Sequence, residues 1–485
     1  MSFNSVIFII FLPVVFALYY VHGGRRWQNI VLVIASYIFY GWWDYRFCAL
    51  LLASSLLDYT IGRCLGGAGS VGRRRFLLGL SLAGNLGVLG FFKYYGFFAD
   101  SVAIGFSALG WEVSTTTLNI VLPVGISFYT FQTLSYTIDI YRGELEARQD
   151  LLDYLTFVAF FPQLVAGPIE RAKHLLPQFA QSRRFSHADA VDGCRLMLWG
   201  FAKKMVLADN LGRLVDEVFA HATAASGAEL VVATVCFGFQ IYGDFSGYSD
   251  IATGTARLFG VQLQRNFNFP YFSRNLTEFW RRWHISLSTW FRDYVYRPLG
   301  GSRCDAVITA RNIMITFLLS GLWHGAAWHF VAWGGAHGCC LLLSRWFAGR
   351  NPASNPDPRL SSGRQEPTMR TLASMALTFL VVSLAWVLFR AGSLDEALGI
   401  YFTMTRDIGR WDFYRDLVVL LSHNAELLTV LVAFVGIEWH GRSQLNPLRF
   451  DRWPRLARWA AYTVGFWMIL GWGTQRTADF IYFQF

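Results

Sequence analysis

Two of the ten histidines stand among residues suited to moving a proton. His324 lies in Ser320-Gly-Leu-Trp-His-Gly-Ala-Ala-Trp328, at the junction of two apolar runs with a glycine on each side. A neutral imidazole in an apolar wall accepts a proton near neutral pH, which is the task of a general base. Gly321 and Gly325 would let another chain or a substrate come close. A core histidine bonded to a neighbouring carbonyl explains the same residues. His284 lies in Thr277-Glu-Phe-Trp-Arg-Arg-Trp-His-Ile-Ser-Leu-Ser-Thr-Trp290. If that stretch is one helix, Trp280, His284 and Ser288 share a face at i, i+4 and i+8, and Glu278 with Arg282 forms a supportive i,i+4 pair on another. The plainer reading of these residues alone is an interfacial amphipathic helix whose histidine faces lipid headgroups.

Other chemistries find less support. His324 and His329 are five residues apart, so on a helix their rings point about 140° apart, unlike the i,i+4 pairs of a zinc helix. With His337 included, no metal site is expected. Ser246 and Ser249, in Tyr242-Gly-Asp-Phe-Ser-Gly-Tyr-Ser-Asp250, do not match G-x-S-x-G, and no phosphate-binding or dinucleotide-binding glycine fingerprint is present. Asp244 and Asp250 follow an apolar run and are expected at or inside a membrane boundary. There they would line a polar cavity or hydrogen-bond helix ends, the second being the simpler role. Seven cysteines with no C-x-x-C pair argue against a disulfide framework or a zinc knuckle.

The elements that must position these residues are set by composition. Of 485 residues, 54% are hydrophobic and 15% charged, against roughly 25% charged in soluble domains. Such a chain cannot cover itself with polar groups, which excludes a soluble enzyme and points to a polytopic membrane protein. The net charge of +10 raises the question of nucleic acid. The bases instead punctuate apolar runs, as cytoplasmic loops do, and no nucleic-acid-binding motif accompanies them. Apolar segments are expected near Val6–Val21, Ile30–Trp43, Phe47–Ile61, Phe76–Phe92, Asn119–Ile140, Leu151–Val165, Cys194–Leu207, Leu230–Tyr242, Ala306–Leu322, Ala326–Phe347, Leu372–Leu388, Leu427–Ile437 and Ala460–Gly473. The first is read as a retained helix, since no basic residues precede it and no cleavage site follows. Arg25, Arg26 and Arg73 to Arg75 place two loops in the cytoplasm and the N-terminus outside, with the base-free stretch Ala99–Thr117 outside as well.

Alternation then fails. Leu151–Val165 should lead outward, yet Arg171, Lys173, Arg183 and Arg184 follow it. A broken segment containing Phe161-Pro162 and Gly167-Pro168 that enters the membrane and returns repairs this, provided protein or a watery cavity surrounds it. Gln264 to Ser302, too charged to span, is expected at the interface or dipping into a funnel. Gly349 to Arg370 reads as an exposed linker, and no internal repeat is visible.

Seven stretches together resemble the membrane-bound O-acyltransferase (MBOAT) family. They are Leu122-Pro-Val-Gly-Ile-Ser-Phe-Tyr129, Phe161-Pro-Gln-Leu-Val-Ala-Gly-Pro168, Tyr242 to Asp250, Asn266-Phe-Asn-Phe-Pro270, Phe279 to Trp290 with Arg292-Asp-Tyr294, Gly321-Leu-Trp-His-Gly325 and Phe480-Ile-Tyr-Phe-Gln-Phe485. Within that family the chain is similar to the bacterial branch that acetylates alginate. The resemblance implies an all-α polytopic fold with about 11–13 membrane helices and re-entrant segments around a central tunnel. It implies one domain over residues 1–485, a catalytic core at about 119–347, and C-terminal helices from 371 to 485. It assigns His324 as the catalytic histidine and His284 as the second, with Trp280, Arg281, Arg282, Trp283, Ser288, Trp323 and Asp244 as substrate-binding candidates. No bound cofactor is implied; acetyl-CoA would be the acyl donor, and Arg281, Arg282, Arg292 and Arg297 could attract its phosphates or serve only to orient the chain. The implied partners are a polysaccharide acceptor, a separate extracytoplasmic enzyme of the SGNH hydrolase type and membrane lipid, with no nucleic acid. The implied location is the bacterial inner membrane.

Other readings stay open on sequence. The same fold serves other acceptors, among them cellulose, peptidoglycan and, with D-alanine, teichoic acid. A transporter without chemistry would have similar composition. A membrane glycosyltransferase would want acidic residues near an outside loop, and Ala99–Thr117 is poor in them.

Overall fold

The computed structural model describes residues 1–111, 118, 120–347, 367–444, 446–473 and 480–481. The expected linker lies outside these residues as far as 366, as do Asn119 and all but Phe480 and Ile481 of the terminal motif. The protein is an all-α polytopic membrane protein, and no strand occurs among the described residues. Among the described residues, five helices are long and apolar enough to cross a membrane: Arg46–Gly66, Val71–Ala108, Gly227–Leu258, Ala306–His324 and Met369–Arg390. A sixth is possible if Trp411–His423 and Ala425–Gly441, bent by 81° at their junction, form one broken span. The other expected apolar segments are also helical, but are shorter or carry more polar residues.

The chain forms two compact units, residues 1–193 with 252–264, and 194–251 with 265–485. In the first, helix Ile126–Tyr141 is central, with fourteen of its sixteen residues buried. It starts seven residues later than the expected segment because Pro123 stands at its approach. Its hydroxyls join a polar cluster in which Ser81 Oγ donates to Asp58 Oδ1 at 2.5 Å, Asn85 Nδ2 donates to Asp58 Oδ2 at 2.7 Å, and Thr137 Oγ1 lies 3.0 Å from Ser81 Oγ. Buried polar groups need such partners, so the cluster fixes how these helices meet.

Leu151–Val165 is broken, as its prolines predicted: one helix runs Leu151–Ala159, the backbone turns at Phe160, and a short helix Phe161–Leu164 follows. Residues 156–172 are buried throughout, so protein surrounds the irregular backbone. Two expectations need correction. Ala99–Thr117 is not simply a loop: up to Ala108 it continues the helix begun at Val71 through a π-turn at Gly90–Tyr94, because Phe97, Phe98, Val102 and Ile104 keep it apolar. The bases counted as loop charges are also structural. Arg183 is buried and donates to Tyr19 Oη, Asn29 Oδ1 and the Gln178 carbonyl, while Arg25 bridges Asp150 and Asp153 at 2.9 and 3.0 Å. Sequence counting registers their charge but not these local partners.

Candidate active site

Every candidate site residue lies in the second unit. His324 is the last residue of helix Ala306–His324, and Gly325 is extended and ends it. Helix Trp328–Phe347 then runs back against the first as a hairpin. The two backbones touch where Gly321 and Gly334 sit: a Cβ on Gly321 would lie 2.2 Å from the Phe330 carbonyl oxygen, and one on Gly334 2.2 Å from that of Phe317. The glycines beside His324 therefore admit the chain itself, since a Cβ on Gly325 would also meet the Phe330 ring at 2.0 Å. Gly321→Ala should lower the stability of the detergent-purified protein by roughly 1–3 kcal/mol, because backbone atoms cannot yield to the added methyl. An unchanged unfolding midpoint would refute the close crossing.

His284 departs from the expected geometry. Thr277 to Trp290 is not one helix: Leu276–Arg282 ends at Trp283, and Ile285–Phe291 begins after His284, whose backbone is left-handed at φ 41°, ψ 55°. The face shared by Trp280, His284 and Ser288 therefore does not exist. A left-handed conformation costs a non-glycine residue about 1–3 kcal/mol and persists only where its surroundings impose it. Here the segment Asn266–Pro270 imposes it, with Ile285 N–H donating to the Asn266 carbonyl at 2.9 Å and Asn268 N–H to the Arg282 carbonyl at 2.9 Å. A helical period cannot reveal a kink made by a partner segment.

The kink brings His284 to His324. Their ring centroids are 6.5 Å apart, and both side chains are buried. Around them stands an aromatic wall. Trp323 and Trp333 each lie 5.0 Å from His324, and Phe389 lies 5.4 Å away. Phe245 packs edge-on against His284 at 4.6 Å, and Trp323 lies 6.0 Å from it. Trp280 joins the wall through Trp333 at 5.8 Å, and Trp283 through Trp386 at 5.1 Å. Trp386 and Phe389 come from helix Met369–Arg390, beyond the expected core at 119–347. Such a wall excludes water and strengthens any electrostatic contact within it.

The remaining candidates are placed differently. Ser288 Oγ donates to the Trp283 carbonyl at 3.2 Å, bracing the kink. Arg282 is paired with Glu278 at 2.6 Å, which also holds Arg274, while Arg281 is exposed. Arg292 and Arg297 share Asp293, each at 2.9 Å. Asp244 is buried, lies 2.6 Å from Lys204 Nζ and accepts from the Ile481 backbone N–H at 2.7 Å. These contacts suit the structural role. His329 matches the carbonyl-bonded core histidine, its Nδ1 lying 3.0 Å from the Leu388 oxygen. An open cavity of about 860 Å³, lined in part by Asn210, Arg213, His221 and His423, includes none of the candidates.

Sequence reasoning missed Lys203, Lys204, Glu438 and Asn266. Lys203 pairs with Asp250 at 2.8 Å, Lys204 also with Asp209 at 2.9 Å, and Glu438 accepts from Tyr242 Oη at 2.8 and 2.9 Å. Adjacent lysines inside an apolar run were the available signal, since buried ammonium groups require carboxylates.

Fold and site define a class: a polytopic, all-helical membrane protein with two histidines brought together inside a buried aromatic wall. A family model described as "MBOAT, membrane-bound O-acyltransferase family" matches residues 144–356. The chain is 40% identical over 447 residues to the "Probable alginate O-acetylase AlgI" of Azotobacter vinelandii, covering 92% of this chain and 85% of that protein. It is 34% identical over 429 residues to the "Peptidoglycan O-acetyltransferase" of Helicobacter pylori, covering 82% and 78%. It is 28% identical over 301 residues to the "Teichoic acid D-alanyltransferase" of Streptococcus thermophilus, covering 58% and 70%. The chain belongs to the membrane-bound O-acyltransferase family, and it is an O-acyltransferase.

Proposed function

We propose that this protein takes acetyl groups from acetyl-CoA on the cytoplasmic side of the bacterial inner membrane and passes them across for O-acetylation of an exported, alginate-like polysaccharide. The observation that carries the reading is the meeting of His284 and His324, forty residues apart in sequence, at 6.5 Å between ring centroids in a buried wall. Similarity over 92% of the chain to a protein named as an alginate O-acetylase supports acetyl as the cargo and a polysaccharide as the final acceptor. Similarity to the D-alanyltransferase is lower and covers 58% of the chain.

In this reading His324 is the general base. It takes the proton of the acceptor hydroxyl as the hydroxyl oxygen forms its bond to the acetyl carbonyl carbon; the thioester C–S bond breaks, and the departing thiolate takes up a proton to leave as CoA thiol. His284 positions donor or acceptor beside it or shuttles the proton. Trp280, Trp283 and Trp323 shape the wall, and Arg281, Arg292 and Arg297, all exposed, are the guanidiniums available to meet donor phosphates. A separate extracytoplasmic enzyme of the SGNH type receives the acetyl group and completes transfer to the polymer. The N-terminus lies outside, as the excess of bases at the starts of helices Arg25–Asp44 and Val71–Leu89 directs.

Purified protein in lipid, given acetyl-CoA radiolabelled in the acetyl group, is expected to release CoA thiol and pass label to water or an added acceptor. A preparation that binds but never cleaves the thioester would reject acetyl-CoA as donor. Passage of an uncleaved solute would instead indicate a transporter.

A further inference from the structure

The contacts of Asn266 determine which nitrogen of His284 carries the hydrogen. Asn266 Oδ1 lies 3.2 Å from the Ser286 backbone nitrogen and 2.9 Å from Ser286 Oγ, while Asn266 Nδ2 donates to Ser249 Oγ at 3.3 Å. A backbone N–H can only donate, so the amide atom facing it must be the oxygen, and the side chain cannot be turned over. The same oxygen lies 3.1 Å from His284 Nδ1. An amide oxygen can only accept, so Nδ1 carries the hydrogen and Nε2 the lone pair.

We propose that Asn266 is a positioning residue for the acyl transfer, holding His284 as its Nδ1–H tautomer so that Nε2 presents a lone pair that takes the single proton of the acceptor hydroxyl and hands it on to His324, the shuttle role given to His284 above. The proposal rests on the reading of the two histidines given above. The left-handed backbone at His284 belongs to the same device. The Asn266 carbonyl receives the Ile285 N–H while its side chain holds the ring, so one residue fixes both the kink and the tautomer. Asn266 is itself buried, as are Ser249 and Ser286, so water does not compete for these bonds. A histidine held in the other tautomer would present an N–H where the reaction needs an acceptor, an error that is costly in enzymes relying on an oriented imidazole.

Full-length protein in lipid, with ¹⁵N-labelled histidine rings, tests this by solid-state NMR, the His284 signals being those lost in His284→Gln. The parent should show protonated Nδ1 and unprotonated Nε2. Asn266→Ala should show a mixture of tautomers and a fall in acetyl-CoA turnover of about 10²-fold. Asn266→Asp, which keeps an acceptor oxygen, should restore the single tautomer and most of the turnover. Protonated Nε2 in the parent, or an Asn266→Ala spectrum identical to the parent's, overturns the proposal. Neither result depends on turnover. If His324→Ala keeps full turnover while the tautomer behaves as described, the general-base reading fails and the orientation of His284 stands. If His324→Ala is inactive and the tautomer is indifferent to Asn266, the reverse holds.

Discussion

His324→Ala is expected to abolish acetylation of the exported polymer while the protein remains at its normal level in the membrane. A general base contributes about 10²–10⁴-fold to a transfer of this kind, and the three rings packed against His324, those of Trp323, Trp333 and Phe389, offer no group that takes up a proton at neutral pH. Alanine also removes a buried ring and leaves a cavity, so lost activity alone could reflect lost packing. His324→Gln separates the two causes, because it fills most of the volume and still forms hydrogen bonds but takes up no proton at neutral pH. Both variants should be inactive, with His324→Gln keeping an unfolding midpoint near the parent's in detergent. Acetyl content of the polymer and immunoblots of the membrane fraction are the measurements. An active His324→Gln would remove the histidine from the chemistry.

Lys204→Met should be among the most destabilising single changes in the second unit. Lys204 Nζ lies 2.9 Å from Asp209 Oδ1 and 2.6 Å from Asp244 Oδ1, and all three residues are buried. Removing the ammonium leaves two carboxylates facing each other away from water. Breaking a buried ion pair by deleting one partner costs about 3–5 kcal/mol. Much of that cost belongs to the stranded charge, so adding Asp244→Asn to Lys204→Met should recover part of it, a coupling that a double-mutant cycle reads directly. Asp244 also accepts from the Ile481 N–H, and the asparagine oxygen can keep that bond. The check is the unfolding midpoint of each variant in one detergent. A Lys204→Met protein as stable as its parent would show that the network carries no load.

The legible and illegible parts of this protein divide by the range of the forces involved. Apolar helices were legible because one residue after another repeats the same preference. Val6–Val21 is a helix over the range expected, and Ala306–Leu322 differs only by ending two residues later, at His324. The break near Phe161-Pro162 was legible because proline acts on its own backbone. The helix over Thr277 to Trp290 was misread because its interruption comes from a segment more than ten residues away, which pairs with the chain at Arg282 and Ile285. Arg183 was read as a loop charge because its partners Tyr19 and Asn29 lie more than 150 residues off.

The sequence by itself determined that the chain lives in a membrane, which residues could move a proton, and which family its motifs resemble; all three rest on residue types and short spacings. Only the tertiary structure decided that the glycines beside His324 serve a helix crossing, that His284 stands at a kink, and that the Asn266 side chain lies against its ring. Those facts depend on contacts between distant segments, and burial makes each contact worth more than the local preference it overrides.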